Sequence, residues 1–263
     1  MRITLGLLLI SLSALGLAIA SAISGASPLQ LDITQTFAPA STTHWLGADD
    51  LGRDILARLA MGVRTSLTVA LVVLVVTGTI GITLGLLAGW FGGWIDTVIT
   101  KLTEVVLSFP GLLLALALAA LVGPGMENVM VALGLLGWVG FCRLTRVEVM
   151  RLRGLAFVHA ATLSGTPILT SWLRHIIPNC TGPLVVEALL VVAGTMVAEA
   201  GLSFLGLGIP APYPSLGGML RDGMRDVLVS PMLVVYPAVV LISLSMGVNV
   251  LAQGLRQKFV DDR

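Results

Sequence analysis

The chain has 263 residues, of which 56% are hydrophobic and only 11% are charged, and its net charge is +1. Soluble domains carry about 25% charged residues, so this composition indicates an integral membrane protein surrounded by lipid. The near-neutral charge argues against nucleic acid as a partner. We therefore expect an all-α, multi-pass protein of the cell (inner) membrane.

Six segments are apolar enough to cross a bilayer, which requires about 20 residues. The predicted spans are Ile3–Ile23, Ser66–Leu87, Thr103–Val122, Asn128–Arg143, Leu184–Leu205 and Met232–Leu251. The first span ends near Ala20-Ser21-Ala22, which resembles a signal-peptide cleavage site. Because its apolar stretch is long and five further spans follow, we interpret it as an uncleaved helix.

The distribution of basic residues predicts the orientation. Six spans place both termini on one side, and with the N terminus inside, ten of the fifteen Lys and Arg residues are cytoplasmic. Short loops rich in Lys and Arg stay in the cytoplasm, so we predict an N-in, C-in topology. The cytoplasmic set is Arg2, Lys101, Arg143, Arg146, Arg151, Arg153, Arg174, Arg256, Lys258 and Arg263.

The first outside loop, about Ser24–Thr65, is too long for a simple turn. Asp49 or Asp50 is placed to cap a helix, and Asp54 and Arg58 have the i,i+4 spacing of an ion pair. We predict a short helix that lies on the membrane surface. The second outside loop has three prolines at alternate positions, which predict a stiff extended segment before a short polar helix.

Glycines mark helix contacts in the second and fourth spans. Gly81, Gly85 and Gly89 fall on every fourth residue, and such a stripe of small residues lets another helix approach closely. We interpret it as helix packing.

The cytoplasmic loop between predicted spans 4 and 5, residues 143–183, is rich in arginine and has Glu148 as its single carboxylate. Two helix-like runs, Ala156–Leu163 and Ile168–Ile177, flank Gly165. This pattern predicts a helix, a sharp break and a second helix. The alternative interpretation is an ordinary positive-inside loop.

These elements divide the chain at residue 65. Residues 1–65 hold the first span and the outside loop with its interfacial helix. Residues 66–263 hold a five-helix core that includes the loop 143–183.

The chain lacks the sequence patterns of common active sites. It has no Gly-Lys-Ser/Thr P-loop and no G-x-S-x-G, H-E-x-x-H or C-x-x-C pattern. Its two cysteines and three histidines have no metal-ligand spacing. We therefore expect no catalytic residue, no metal site and no cofactor on this chain.

Two carboxylates lie within predicted spans, where charges are costly and often functional. Glu187 and Glu199 are therefore candidates for a translocation pathway. Glu199 stands among small residues, so a structural hydrogen bond between helices is an equal alternative.

The arginine-rich loop resembles the EAA loop of ABC importer permeases. The residues that carry this resemblance are His159, Ala160, Ala161, Gly165, Ile177 and Pro178. The family usually has Glu at the position of His159, so any salt bridge made by that Glu is in doubt here. Three further segments resemble the C-type permease of the dipeptide, oligopeptide and nickel importer group. They are HWLGADDLGRDILARLAMGVRTSL, LSFPGLLLALALAALVGPG and AEAGLSFLGLGIPAPYPSLGGML.

The resemblance implies a non-enzymatic permease subunit of an ATP-driven importer for di- or oligopeptides or nickel, the metal also as a chelate. It would form the pore with a second, homologous permease, while two ATPase subunits bind ATP and Mg and an extracytoplasmic binding protein delivers substrate. In this family the EAA loop inserts a coupling helix into the ATPase. The alternatives are a secondary transporter, which predicts inverted-repeat halves, or another polytopic protein not coupled to an ATPase. No internal repeat is visible.

Overall fold

The computed structural model describes residues 2–261, which form ten α-helices and no strand. In chain order the helices are α1 (Arg2–Ser24), α2 (Ile55–Phe91), α3 (Gly93–Leu107), α4 (Gly111–Val122), α5 (Met126–Arg153), α6 (Ala156–Leu163), α7 (Ile168–Ser171), α8 (Ile177–Phe204), α9 (Leu216–Arg225) and α10 (Met232–Asp261). A 3₁₀ turn covers Ile33–Gln35, and a π turn at Trp172–Ile176 joins α7 to α8. Arg263, counted above among the cytoplasmic charges, lies outside the described residues.

Five helical runs are long and apolar enough to cross a membrane: α1, α2, α5, α10 and the continuous run from α7 through α8. The predicted third span is instead broken into α3 and α4, which meet at an angle of 82°. Pro110 precedes α4 and has no N–H to donate, so the hydrogen bonding of α3 ends before it. Counting this bent pair as one crossing gives six crossings. The distribution of basic residues predicts that the end of the bundle that bears α6 is the cytoplasmic end.

Helix α2 corrects the prediction for the first outside loop. It runs without interruption for 37 residues from Ile55 into the second span. Ile55 and Leu59 are buried in the protein core at 3% and 1% exposure. The prediction of a separate helix on the membrane surface is therefore wrong, because its apolar face packs on protein rather than lipid. The division predicted at residue 65 lies inside α2.

The predicted cap and ion pair of this region also change partners. Asp54 caps α2 by accepting a hydrogen bond from the backbone N–H of Ala57 at 2.7 Å. Arg58 pairs with Asp49, whose Oδ2 lies 3.3 Å from the Arg58 Nε atom. The same Asp49 oxygen accepts from Arg53 Nε at 2.7 Å. Charged side chains that the sequence places on a surface are thus buried together.

The center of the bundle is the contact between α2 and α5. An added Cβ at Gly85 would lie 2.6 Å from the Thr145 Cβ atom, and one at Gly89 would lie 2.7 Å from the Val149 Cβ atom. Gly81 is equally close to α5. The predicted packing role of this glycine stripe is confirmed, because only glycine permits this approach.

The first and last helices pack side by side. An added Cβ at Gly6 of α1 would lie 2.8 Å from the Gly247 carbonyl oxygen of α10. The hydroxyl groups of Ser13 and Ser243 are 2.8 Å apart. Small residues and one interhelical hydrogen bond therefore hold α1, which buries little else.

The second outside loop contains the predicted short helix, α9. Ser215 caps it by accepting from the backbone N–H of Gly218 at 3.0 Å. Gly217 lies directly against the backbone of Ala200 in α8. This contact seats α9 on the extracytoplasmic end of the bundle.

Candidate coupling loop and buried carboxylates

The predicted helix, break and second helix are present after α5, as α6, Gly165 and α7. Helix α6 ends in a Schellman motif, in which Thr166 N–H donates to the Ala161 carbonyl and Gly165 N–H donates to the Thr162 carbonyl, each at 3.1 Å. Gly165 has a φ of +74°. An added Cβ there would meet nothing within 4 Å. The requirement for glycine at the break is therefore one of backbone conformation and not of space.

The inner side of this loop attaches to the bundle through a few large apolar side chains. Val158 of α6 and Ile176 of the π turn are buried at 1% and 0% exposure, in a cluster with the cytoplasmic ends of α2 and α5. The Trp172 ring meets the edges of Trp90 and Phe91, with centroids 6.3 and 6.4 Å apart. These contacts fix the loop on the ends of two packed helices.

The outer side of the loop is apolar and uncovered in the single chain. Phe157, Leu163 and Leu169 are exposed by 43%, 89% and 63%. Of the residues predicted for coupling, His159, Ala160, Gly165 and Pro178 are exposed, and Ala161 and Ile177 are half-buried. Apolar side chains that face water at a loop indicate a surface for another protein.

Pro178 enters α8 just after the π turn. The backbone N–H of Ile177 donates to the Trp172 carbonyl, five residues earlier. This wider turn lets the chain pass from α7 into α8 without a full break, and π turns of this kind recur at functional sites.

Most arginines of the loop region are used within the chain. Arg146 pairs with Asp96 of α3, with Nη2 and Oδ2 2.7 Å apart. Arg153 donates to the Trp90 carbonyl at 2.6 Å. Sequence reasoning missed Asp96 because it lies 50 positions from its partner. These contacts tie the cytoplasmic ends of α2, α3 and α5 together.

Glu199 is fully buried in α8. Ser66 of α2 donates to its Oε2 at 2.7 Å, and Ser203 donates to its Oε1 at 2.8 Å. Ser203 Oγ also accepts from the Ile209 backbone N–H at 3.3 Å. The carboxylate therefore joins α2, α8 and the start of the second outside loop, which is the geometry of an interhelical hydrogen bond.

Glu187 lies nearer the start of α8 than Glu199, at the contact between α8 and α5. Gly140 leaves the space that its carboxyl group occupies, since an added Cβ would overlap the Glu187 Oε1 atom. Glu187 is half-buried and has no hydrogen bond or ion pair with a described residue. Twelve positions along α8 separate it from Glu199, or about 18 Å. The structure does not bring the two predicted pathway carboxylates together.

Residues 2–261 contain no group of three His, Cys, Asp or Glu side chains arranged to hold a metal ion. Cys142 and Cys180 are both buried, and no disulfide joins these two described residues.

Comparison with known proteins identifies the family. Residues 81–261 match the binding-protein-dependent transport system inner membrane component family. The glutathione transport system permease protein GsiD of Pectobacterium atrosepticum is 35% identical over 82% of this chain and 72% of its own length. The dipeptide transport system permease protein DppC of Bacillus subtilis is 34% identical over 88% of this chain and 72% of its own length.

A solved structure shares the fold. The inward-facing MetNI methionine ABC transporter matches with a TM-score of 0.59 and 17% identity over 78% of this chain and 95% of the matched chain. At this identity the likeness concerns the fold alone. The chain belongs to the binding-protein-dependent inner membrane component family, and it is a multi-pass permease subunit of an ABC importer rather than an enzyme.

Proposed function

We propose that α6, Gly165 and α7 form the loop that docks on an ATPase subunit, and that the importer takes up short peptides. The observation that carries the docking role is the two-sided structure of the loop. Its inner side is fixed on α2 and α5 by Val158 and Ile176, while Phe157, Leu163 and Leu169 face outward. A partner that covers these side chains gains their burial, at about 25 cal/mol per Å² of apolar surface.

At His159 this surface lacks the carboxylate of the family pattern. His159 is exposed and forms no ion pair with a described residue. The family pattern has Glu here, so this chain presents a different group to its partner. Docking therefore rests on the apolar side chains rather than on a carboxylate at this position.

The remaining partners follow from the family. The pore requires a second permease subunit, and the exposed apolar face of α2, which includes Val72 and Val75, is available to it. ATP and Mg belong to two ATPase subunits, and an extracytoplasmic binding protein delivers the cargo.

A short peptide is the proposed cargo because the relatives are named for glutathione and dipeptides. No observation on the described residues favours nickel.

The docking role is tested with Gly165→Asp in the assembled importer. A side chain at positive φ costs roughly 1 kcal/mol or more and changes the direction of α7 relative to α6. We expect membrane insertion and pairing with the second permease to persist. Peptide-stimulated ATP hydrolysis and peptide uptake should be lost.

The matched control is Thr162→Asp, which adds the same charge three positions earlier on an exposed site of α6. We expect it to retain most activity. Wild-type uptake by an assembled Gly165→Asp importer would contradict the docking role. Equal loss in both variants would show sensitivity to charge rather than to the glycine conformation.

The side of the membrane is tested by labelling a cysteine at Ser164, an exposed position at the end of α6. Cys142 and Cys180 are first replaced by alanine. We expect an impermeant thiol reagent to label this site only after cells are opened. Labelling in intact cells would place the loop outside and remove it from any cytoplasmic ATPase.

A further inference from the structure

A large cavity opens near the extracytoplasmic end of the bundle. Its volume is about 1070 Å³, and it lies between α1, α2, the first turn of α5 and the segment around residues 209–213. Small and apolar residues form most of its wall, among them Ala18, Ala60 and Leu67. Ligand sites typically measure about 300–1,000 Å³ and have mostly apolar walls with few polar groups. The cavity is therefore large enough for a short peptide.

Two opposite charges line this cavity without pairing. Arg64 projects from α2, and Glu127 projects from the first turn of α5. Neither side chain has a hydrogen bond or ion pair with any described residue, so their charged atoms are more than 4 Å apart. The N-terminal turn of a helix favours a negative charge such as that of Glu127.

Three of the other extracytoplasmic arginines are paired within the chain, whereas Arg225 is exposed like Arg64 and lies outside the cavity wall. Arg53 and Arg58 are buried on Asp49, and Arg221 pairs with Asp222 at 3.2 Å. Arg64 is thus a cation that the chain places in a cavity wall without supplying its counter-ion. A cation and an anion on different walls match a ligand with one negative and one positive end.

We propose that this cavity holds a short zwitterionic peptide in transit, with the peptide carboxylate at Arg64 and the peptide ammonium group at Glu127. A guanidinium binds a carboxylate through two parallel hydrogen bonds, and a carboxylate accepts from an ammonium group. The wall between them accepts varied side chains, because most of it is apolar and its few polar groups, such as Thr68 and Asn128, are uncharged. This inference rests on the proposed peptide cargo and adds the residues that recognise the two peptide ends.

The test measures uptake of a radiolabelled dipeptide into proteoliposomes that contain the complete importer and its binding protein. The variants are Arg64→Gln, Glu127→Gln and the exchanged pair Arg64→Glu/Glu127→Arg. Arg225→Gln is the control, because Arg225 is an exposed arginine of α9 outside the cavity wall. ATP hydrolysis without substrate and co-purification of the second permease are measured on the same samples.

We expect each single variant in the cavity to lower uptake by about tenfold or more, which is the effect of losing one charge-assisted hydrogen bond. Substrate-free ATP hydrolysis and permease pairing should stay unchanged, and Arg225→Gln should match the wild type. The exchanged pair should exceed both single variants, because a zwitterion fits the reversed charges in the opposite direction.

Wild-type uptake by Arg64→Gln and Glu127→Gln would overturn the inference. Loss of the second permease from either variant would also overturn it, since the cavity wall would then be a subunit interface. Losses without recovery in the exchanged pair would assign each charge a structural role instead. A wild-type importer that hydrolyses ATP but takes up no di- or tripeptide would contradict the proposed cargo itself, before any variant is compared.

Discussion

Two regions at opposite ends of the helix bundle differ in what they bury, namely the charged cluster around Asp49 and the loop formed by α6 and α7. At the extracytoplasmic end, Arg53 and Arg58 are only 7% and 5% exposed because Asp49 holds both. At the cytoplasmic end, the chain leaves Leu163 89% exposed and Phe157 43% exposed. The charged cluster around Asp49 completes its contacts within the chain, whereas the loop formed by α6 and α7 presents unburied apolar surface. The first region therefore contributes stability, and the second is available to a partner.

The largest loss of stability is expected from Asp49→Ala. Asp49 accepts from the backbone N–H groups of Leu51 and Arg53 and from the side chains of Arg53 and Arg58. Its loss leaves the buried Arg58 guanidinium without a counter-ion and Arg53 with Asp50 alone, at a cost of about 3–5 kcal/mol. Thermal unfolding of the purified importer should show a much lower midpoint.

The control for this variant is Asp222→Ala, which removes the half-exposed partner of Arg221. Such pairs contribute about 0–1 kcal/mol, so its midpoint should barely move. Equal shifts in the two variants would mean that the extracytoplasmic end is not held by the buried charges of Asp49.

A smaller loss of stability is expected for Gly85→Ala at the center of the bundle. The new Cβ would lie 2.6 Å from the Thr145 Cβ atom and 2.7 Å from the Cys142 carbonyl oxygen. Overpacking of this kind costs about 1–3 kcal/mol. The comparison variant is Gly165→Ala, which meets no atom within 4 Å and should change the midpoint less. A larger midpoint loss for Gly165→Ala would reverse the assignment of space and backbone conformation to these two glycines.

Two substitutions at Glu199 distinguish a structural role from a role in transport. Glu199→Gln retains an acceptor for Ser66 or Ser203 and should keep peptide uptake near the wild-type rate. Glu199→Ala leaves both buried hydroxyl groups without their acceptor and should lower stability by about 1–3 kcal/mol. If Glu199→Gln abolished uptake while the importer stayed folded, the carboxylate charge itself would be required for transport.

The smallest effect on stability is expected at the cytoplasmic end. Leu163→Ser changes an almost fully exposed side chain and should alter the free energy of unfolding by no more than about 0.5 kcal/mol. Peptide-stimulated ATP hydrolysis should nevertheless fall, because the variant removes apolar surface proposed to contact the ATPase. A matched Thr170→Ser change in α7 should leave both quantities intact. Unchanged coupling in Leu163→Ser would remove this side chain from the docking surface.

Local signals made the cytoplasmic loop predictable. Gly165 ends α6 because a left-handed residue is required there, and Pro167 follows it at the start of α7. The spacing of Gly81, Gly85 and Gly89 likewise identified a helix contact, since close approach leaves a direct trace in residue size. These features depend on neighbours within a few positions.

Long-range contacts explain what sequence reasoning missed. Arg58 is buried because it pairs with Asp49 across the start of α2. Glu199 is buried because it accepts a hydrogen bond from Ser66, which is 133 positions away. A run of charged residues near an apolar helix has the same pattern whether it faces lipid or a buried partner. The cavity charges Arg64 and Glu127 also lie on separate helices, so only the packing of α2 and α5 reveals that they line the same cavity.

The pairing of α1 with α10 has a consequence for biogenesis. Ser13 and Ser243 meet across 230 positions, and a ribosome adds about 5–20 residues per second. Helix α1 therefore lies in the bilayer for roughly 10–45 s before α10 is synthesised. During this interval the face of α1 that later packs on α10 is solvated by lipid. The nascent permease is thus open along one side until α10 is synthesised, and α10 then completes the enclosure of α1.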